Sequence, residues 1–189
     1  TVATLKQTMD RLTADRILSL YTLRMIDHFN KNLDNSWRIE EARLRLEAEY
    51  DLLHNLTLWK FAPDPDAEGE TAGWQKPDFN DAMWKELEAG KFWEDQGFPK
   101  YDGAGWYRRR LDLPADTRGL GIHFSGADER AWVYLDGVLI GGQHEGDPGV
   151  LWQQPFTVML PENTKPGPHL LAVKVIDSGG AGGLWNQVV

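Results

Sequence analysis

The chain has 189 residues, of which 41% are hydrophobic, so it can fold as one domain or as one domain with an appendage. Its formal net charge of -9 argues against nucleic acid, whose phosphates need clustered Lys and Arg, and against anionic membrane surfaces. The absence of cysteine excludes disulfides, Cys-ligated zinc and thiol nucleophiles, and no apolar run approaches the roughly 20 residues of a membrane helix.

The first predicted unit, residues 1–56, is a helical hairpin, because it lacks Gly and Pro and is rich in helix formers. A capping-box pattern at 4–7 and a break at 32–36 indicate where the two helices begin. The chain starts at Thr1, without Met or a visible signal peptide, so we expect a mature product or a fragment. We interpret the hairpin as the tail of a preceding domain.

The second predicted unit, residues 57–189, contains every Gly and Pro and about eight short strands. Asp136-Gly137 is a typical two-residue hairpin turn between two of them. No helix is predicted between the strands, so the pattern favours an antiparallel β-sandwich or jelly roll. The predicted strands are 56–61, 106–113, 120–124, 131–135, 138–140, 155–160, 170–176 and 184–189.

Tryptophan is unusually frequent, with nine residues in the chain. The indole ring favours burial while its N–H needs an acceptor, so this density predicts either a large aromatic core or a surface for stacking. Sugar rings offer flat, partly apolar faces to such a surface.

Four motifs carry a family resemblance, and they occur in order along residues 59–189. They are 74–84 (WQKPDFNDAMW), 92–97 (FWEDQG), 105–109 (GWYRR) and 124–137 (FSGADERAWVYLDG). Together they resemble the sugar-binding, galactose-binding-like jelly roll of glycoside hydrolase family 2 and related bacterial proteins. The resemblance implies a noncatalytic module beside a glycosidase-like barrel, in a secreted, periplasmic or cell-surface protein.

The same resemblance points to one end of the sandwich. In the multidomain hydrolases, the Asp that matches Asp128 lies near the sugar pocket of the catalytic barrel and can help to hold a cation. The loop that matches 92–97 reaches the same pocket. We therefore expect these two segments to meet, with 179–185 close by. No cofactor is required, and a structural calcium ion is an expectation without an assigned ligand set.

Candidate sugar-binding residues follow from this placement. Trp93 is the predicted stacking platform, with the alternative that it folds back on the edge of the core. Asp128 and Arg130 are predicted to bind hydroxyl or carboxylate groups, with turn capping and an ion pair to Glu129 as alternatives. The remaining candidates are Glu94, Asp95, Tyr101, Asp102, His144, Glu145, Trp152 and Trp185.

No catalytic residue is predicted. A glycosidase needs two carboxyl groups at a set separation, one of them with a raised pKa in an apolar setting, and no such pair is evident. The predicted function is a noncatalytic carbohydrate-binding module of a larger protein. The alternatives are a structural domain that packs on and completes a glycosidase catalytic domain, and, less favoured, a standalone hydrolase.

Overall fold

The computed structural model of the chain describes Glu41 and residues 55–189. The chain divides into two units, Thr1–Glu49 and Tyr50–Val189, and the account below concerns the second. The predicted helical hairpin lies outside the described residues apart from Glu41, Asn55 and Leu56, and the boundary at 56/57 stays a prediction. In the described part of the chain, no helix has the length and apolarity needed to cross a membrane.

Residues 55–189 are mainly β and antiparallel, which confirms the predicted class. Six strands form one sheet in the order β2-β1-β3-β8-β5-β6, and β4 and β7 form a second sheet. The strands are β1 (Leu58–Asp64), β2 (Lys85–Glu88), β3 (Gly103–Leu113), β4 (Gly121–Phe124), β5 (Arg130–Leu135), β6 (Val138–Gln143), β7 (Phe156–Met159) and β8 (Gly167–Asp177).

The predicted hairpin turn is confirmed. Asp136 and Gly137 connect β5 to β6, and both have positive φ, at 49° and 86°. Two positive φ angles are what a type I′ turn requires, and the Asp-Gly pair tolerates them better than other residues do.

Three details differ from the predictions. Strand β2 and a one-turn helix, α1 (Pro148–Leu151), were not predicted. The side chain of Asp147 caps α1 by accepting a hydrogen bond from the Gly149 N–H at 3.0 Å. The predicted strand 184–189 instead makes an isolated bridge to the end of β4, through Val188.

The main core lies between the two sheets. The central strands β3 and β8 pair along their whole length, so their inward side chains form one continuous apolar surface. The smaller sheet covers that surface with Ile122, Phe124 and Val158, all of them buried. This two-layer arrangement is consistent with the predicted sandwich, since each sheet buries one apolar face against the other.

The outer face of the larger sheet is also covered, by the segment 65–84 between β1 and β2. Trp106 on β3 is fully buried there and packs against Trp74 in an edge-to-face contact of 6.4 Å. The guanidinium of Arg108, also fully buried, donates to the carboxylate of Asp81 at 2.7 Å and to backbone carbonyls of the segment. Because both faces of the central strands are covered, the strand-end loops are the natural place for a binding site.

Candidate functional site

Four loop segments meet at one end of the sandwich and enclose an open groove of about 390 Å³. They are the residues around 92, the turn after β4, the residues of α1 and the Gly-rich segment after β8. We call this cavity the loop-end groove, and its described lining residues are Phe92, Asp128, Glu129, Pro148, Gly149, Trp152, Gly179 and Ala181. The structure therefore brings together two segments that the sequence analysis expected to meet.

Hydrogen bonds hold the groove's loops in place. The backbone N–H of Asp128 donates to the carbonyl of Gly183 at 2.9 Å. The carboxylate of Glu129 accepts from the backbone N–H and hydroxyl of Ser178, at 3.0 and 2.7 Å. Glu129 has a φ of +47°, a strained conformation for a residue with a side chain, and these bonds help to maintain it.

Trp93 is not a stacking platform, and this prediction is wrong. Its side chain is fully buried, and its Nε1 donates to Glu94 Oε1 at 2.6 Å and to the carbonyl of Tyr101 at 3.0 Å. The ring fits between Gly105 and Gly182, where an added Cβ would approach it to 2.7 and 2.3 Å. Trp93 therefore folds onto the core, as in the alternative interpretation, because two glycines leave room for its indole.

Glu94 and Tyr101 have internal hydrogen-bonding partners. The second carboxylate oxygen of Glu94 accepts from the N–H of Gly182 at 3.0 Å, so both of its oxygens serve loop packing. The hydroxyl of Tyr101 donates to the carbonyl of Ala104 at 2.6 Å and accepts from the N–H of Asp64 at 3.0 Å.

Asp95 and Asp102 are exposed to solvent. Neither is among the described residues that line the loop-end groove, and the same holds for Glu94 and Tyr101.

Three aromatic residues cluster at the groove, and two of them, Phe92 and Trp152, line it. Trp152 is 37% exposed and lines the groove directly. Its carbonyl accepts from Nε1 of Trp185 at 3.0 Å, and the ring of Trp185 stacks on Phe92 with centroids 6.0 Å apart. Gly126 lies under Trp185, where an added Cβ would approach the ring to 2.7 Å. We call Phe92, Trp152 and Trp185 the rim aromatics.

Phe92 was missed as a site residue. No local pattern distinguishes it from Trp93, because which of the two rings is buried depends on residues far along the chain, such as Gly182.

A pair of buried carboxyl groups lies at the base of the same loops. Asp128 is 6% exposed and Asp177 is 1% exposed. Burial raises the pKa of Asp128 to about 7, and the neighbouring charges of Asp177 and Glu129 add to the effect. Burial also raises the pKa of Asp177, although the N–H of Gly179 opposes this by donating to Oδ1 at 2.7 Å.

The second oxygen of Asp177, Oδ2, is buried and accepts no hydrogen bond from the described residues while Asp128 is ionised. Protonated Asp128 can donate to it, since the side chain of Asp177 is one of the neighbours that raise the pKa of Asp128. The pair therefore favours a state that carries one proton and one negative charge. Asp177 was not predicted as a site residue. It is the last residue of β8, and its position in the sequence does not reveal that Asp128 is its neighbour.

Arg130 and His144 interact with each other outside the groove. Nε of Arg130 donates to the carbonyl of His144 at 3.2 Å. Arg130 makes this contact in place of the ion pair with Glu129 that the sequence analysis considered. The ring of His144 stacks on Trp132 with centroids 5.1 Å apart. Glu145 is exposed, and none of these residues is among those described as lining the groove.

The chemistry of the groove is that of hydrogen-bond acceptors beside an aromatic rim. Within residues 55–189, no group of three or more His, Asp or Glu side chains is placed to hold a metal ion. The expected calcium ion thus stays a prediction without ligands. Carboxylates beside the partly exposed ring of Trp152 suit a ligand that presents hydroxyl donors and apolar C–H faces.

The comparison with protein families gives one match. The family described as the β-galactosidase second all-beta domain matches residues 69–181, which is more than half of the chain. The match includes both carboxyl groups of the buried pair and all of the described residues that line the groove. The comparison with curated proteins gives no match.

Solved structures of glycosidases are similar to this chain. A β-glucuronidase from Lactobacillus rhamnosus is 26% identical with a TM-score of 0.54, over 64% of this chain and 20% of that chain. A Ruminococcus gnavus β-glucuronidase is 24% identical with a TM-score of 0.53 over the same shares, and at that identity it supports the fold alone. The chain thus spans about 20% of the length of these enzymes.

Proposed function

Since the chain belongs to the β-galactosidase second all-beta domain family, which is an accessory and noncatalytic part of glycosidases, we propose that it is a carbohydrate-binding module of a larger glycosidase. The loop-end groove binds the glycan, and a catalytic domain of the parent chain adjoins the module. No residue of the module supplies chemistry to the hydrolytic reaction.

The observation that carries this proposal is the combination of an open groove, an exposed aromatic face and carboxylate acceptors in one place. Trp152 offers its face to the apolar side of a sugar ring, as aromatic residues do in stacking contacts. Asp128 and Glu129 line the same groove and can accept hydrogen bonds from hydroxyl groups. Affinity for a single sugar is weak, because hydroxyls exchange good hydrogen bonds with water for similar ones with the protein.

We also propose that the sandwich is of the galactose-binding-like jelly-roll type. The strand order supports this, because β8 lies between β3 and β5, far from both in sequence. Long connections that return a late strand to the middle of a sheet are typical of Greek-key and jelly-roll sandwiches.

A structural role is the second candidate. The β5–β6 hairpin exposes Val138 by 65% and Leu139 by 49% on an edge strand of the larger sheet. Apolar side chains on an exposed edge favour contact with another protein surface. In this case the module packs against the catalytic domain and completes its site without independent affinity for glycans.

A glycan array separates the two candidates. The proposal expects binding by the wild-type chain, loss of that binding in Trp152→Ala, and normal binding in Met83→Ala. Met83 is a matched control because it is a 95% exposed apolar residue that does not line the groove. Silence of the wild-type chain across the whole array would refute independent glycan binding and leave the structural role.

A further inference from the structure

We infer that the loop-end groove selects against uronic acids and takes saccharides that present hydroxyl or ammonium donors. This inference rests on the proposed function, and it adds the chemical class of the ligand. It is drawn from the charges that face the groove and from the partners of the cations around it.

The described residues that line the groove carry negative charge and no positive charge. Two of the eight are acidic, Asp128 and Glu129, and none is Lys, Arg or His. Asp177 interacts with Asp128, and this pair carries one negative charge when it holds one proton, so the groove faces the charge of the pair together with that of Glu129. A saccharide carboxylate placed in this groove meets like charges at short range and has no cation to pair with.

The cations of the surrounding segments are engaged elsewhere. Arg130, two residues after Asp128, donates through Nε to the carbonyl of His144. Near Phe92, Lys91 pairs with the carboxylate of Glu88 at 2.6 Å. Neither cation is among the described residues that line the groove, so a uronate would have to draw a side chain in from outside to gain a counter-ion, whereas a hydroxyl or ammonium group needs no such change.

Glu129 also shows that acceptor capacity remains at the groove. It accepts two hydrogen bonds from Ser178, while a carboxylate has about four acceptor positions. The charged side chains that line the groove are therefore hydrogen-bond acceptors, which matches a ligand with hydroxyl or ammonium donors and mismatches a carboxylate.

The test uses a glycan array that carries neutral, amino-sugar and uronic-acid glycans with matched backbones, read at low ionic strength. We expect each uronic-acid glycan to bind at least about tenfold more weakly than its neutral counterpart. Raising the salt concentration should narrow the difference, since screening weakens the repulsion. A uronic-acid glycan that binds as tightly as its neutral counterpart would overturn the inference while leaving the proposed function intact.

The double variant Asp128→Asn/Glu129→Gln tests whether the two groove carboxylates cause the selection. It should reduce the discrimination between matched glycans, whereas Asp112→Asn, which removes an exposed charge at the far end of β3, should not. If the double variant does not fold, the salt series on the wild-type chain still tests whether the selection is electrostatic. Silence of the wild-type chain toward all three glycan classes would overturn both the inference and the proposed function.

Discussion

The indole N–H of Trp93 donates to the carboxylate of its neighbour Glu94 at 2.6 Å, and the same carboxylate accepts from the backbone of Gly182 at 3.0 Å. A single acidic side chain thus connects a buried tryptophan to the Gly-rich segment that borders the loop-end groove. These hydrogen bonds explain why Trp93 and Glu94 stabilise the fold, although the sequence places them in a loop. We propose Trp152, and not Trp93, as the residue that stacks on a sugar ring.

Replacing Trp93 and Trp152 with Ala should therefore affect different properties. Trp93→Ala removes a fully buried ring and should lower the free energy of unfolding by about 3 to 5 kcal/mol. Trp152→Ala removes a partly exposed ring and should change that free energy by less than about 1 kcal/mol while abolishing glycan binding. Chemical denaturation and binding assays on both variants check this. Stability loss of equal size in the two variants would contradict the assignment.

The free energy of unfolding should fall as the pH rises through neutrality. The folded state raises the pKa of Asp128 from 3.8 to about 7, so it binds the proton more tightly than the unfolded chain does. The resulting stabilisation is fully present below about pH 4 and is lost as the pH rises through about 7. Asp177 acts in the same direction. Denaturant unfolding at about pH 5 and about pH 8 should differ by about 2 kcal/mol.

Asp128→Asn should remove most of that pH dependence. The Asn side chain has nearly the same shape as the protonated carboxyl group and can donate from its amide to Asp177. The variant should therefore be at least as stable as the wild type at about pH 8. An unchanged slope of stability against pH would show that the carboxyl pair does not hold the proton that we assign to it.

Arg108 should be required for the segment that covers the outer face of the sheet. Arg108→Met leaves Asp81 and the backbone carbonyls of that segment without their donor, and should destabilise the domain by about 3 kcal/mol. Arg110→Met is the matched control, since Arg110 is exposed and makes one hydrogen bond, to the carbonyl of Pro77. Thermal unfolding and limited proteolysis within 65–84 measure both effects. Equal stability of the two variants would contradict this role.

Two Gly→Ala changes near the groove should affect the free energy of unfolding differently. An added Cβ at Gly182 would approach the Trp93 ring to 2.3 Å, so Gly182→Ala should cost about 1 to 3 kcal/mol of stability. At Gly149 in α1 the closest atom would be Oδ1 of Asp147 at 3.4 Å, so Gly149→Ala should be neutral or slightly stabilising. Denaturant unfolding of both variants measures the contrast. A neutral Gly182→Ala would show that the Trp93 ring has room to move.

The local elements of this protein followed from its sequence because their signals are local. Alternating apolar residues indicated most of the strands, and Asp136-Gly137 indicated the hairpin turn, since only a few residues tolerate two positive φ angles in succession. The motif order also indicated that the segments containing Phe92 and Asp128 meet at one end of the sandwich, as the groove lining shows.

Burial of individual side chains was decided by the tertiary structure, because it depends on residues far away in the sequence. Trp93 is buried in space that Gly182 leaves open, and Gly182 lies 89 positions later in the chain. No pattern around Trp93 in the sequence reveals that space. Asp128 and Asp177 are 49 positions apart, and the burial and neighbouring charge that raise the pKa of Asp128 exist only once β5 and β8 pair. The sequence by itself thus determined most of the strands and the end of the sandwich, whereas the tertiary structure decided which aromatic and acidic residues face the groove.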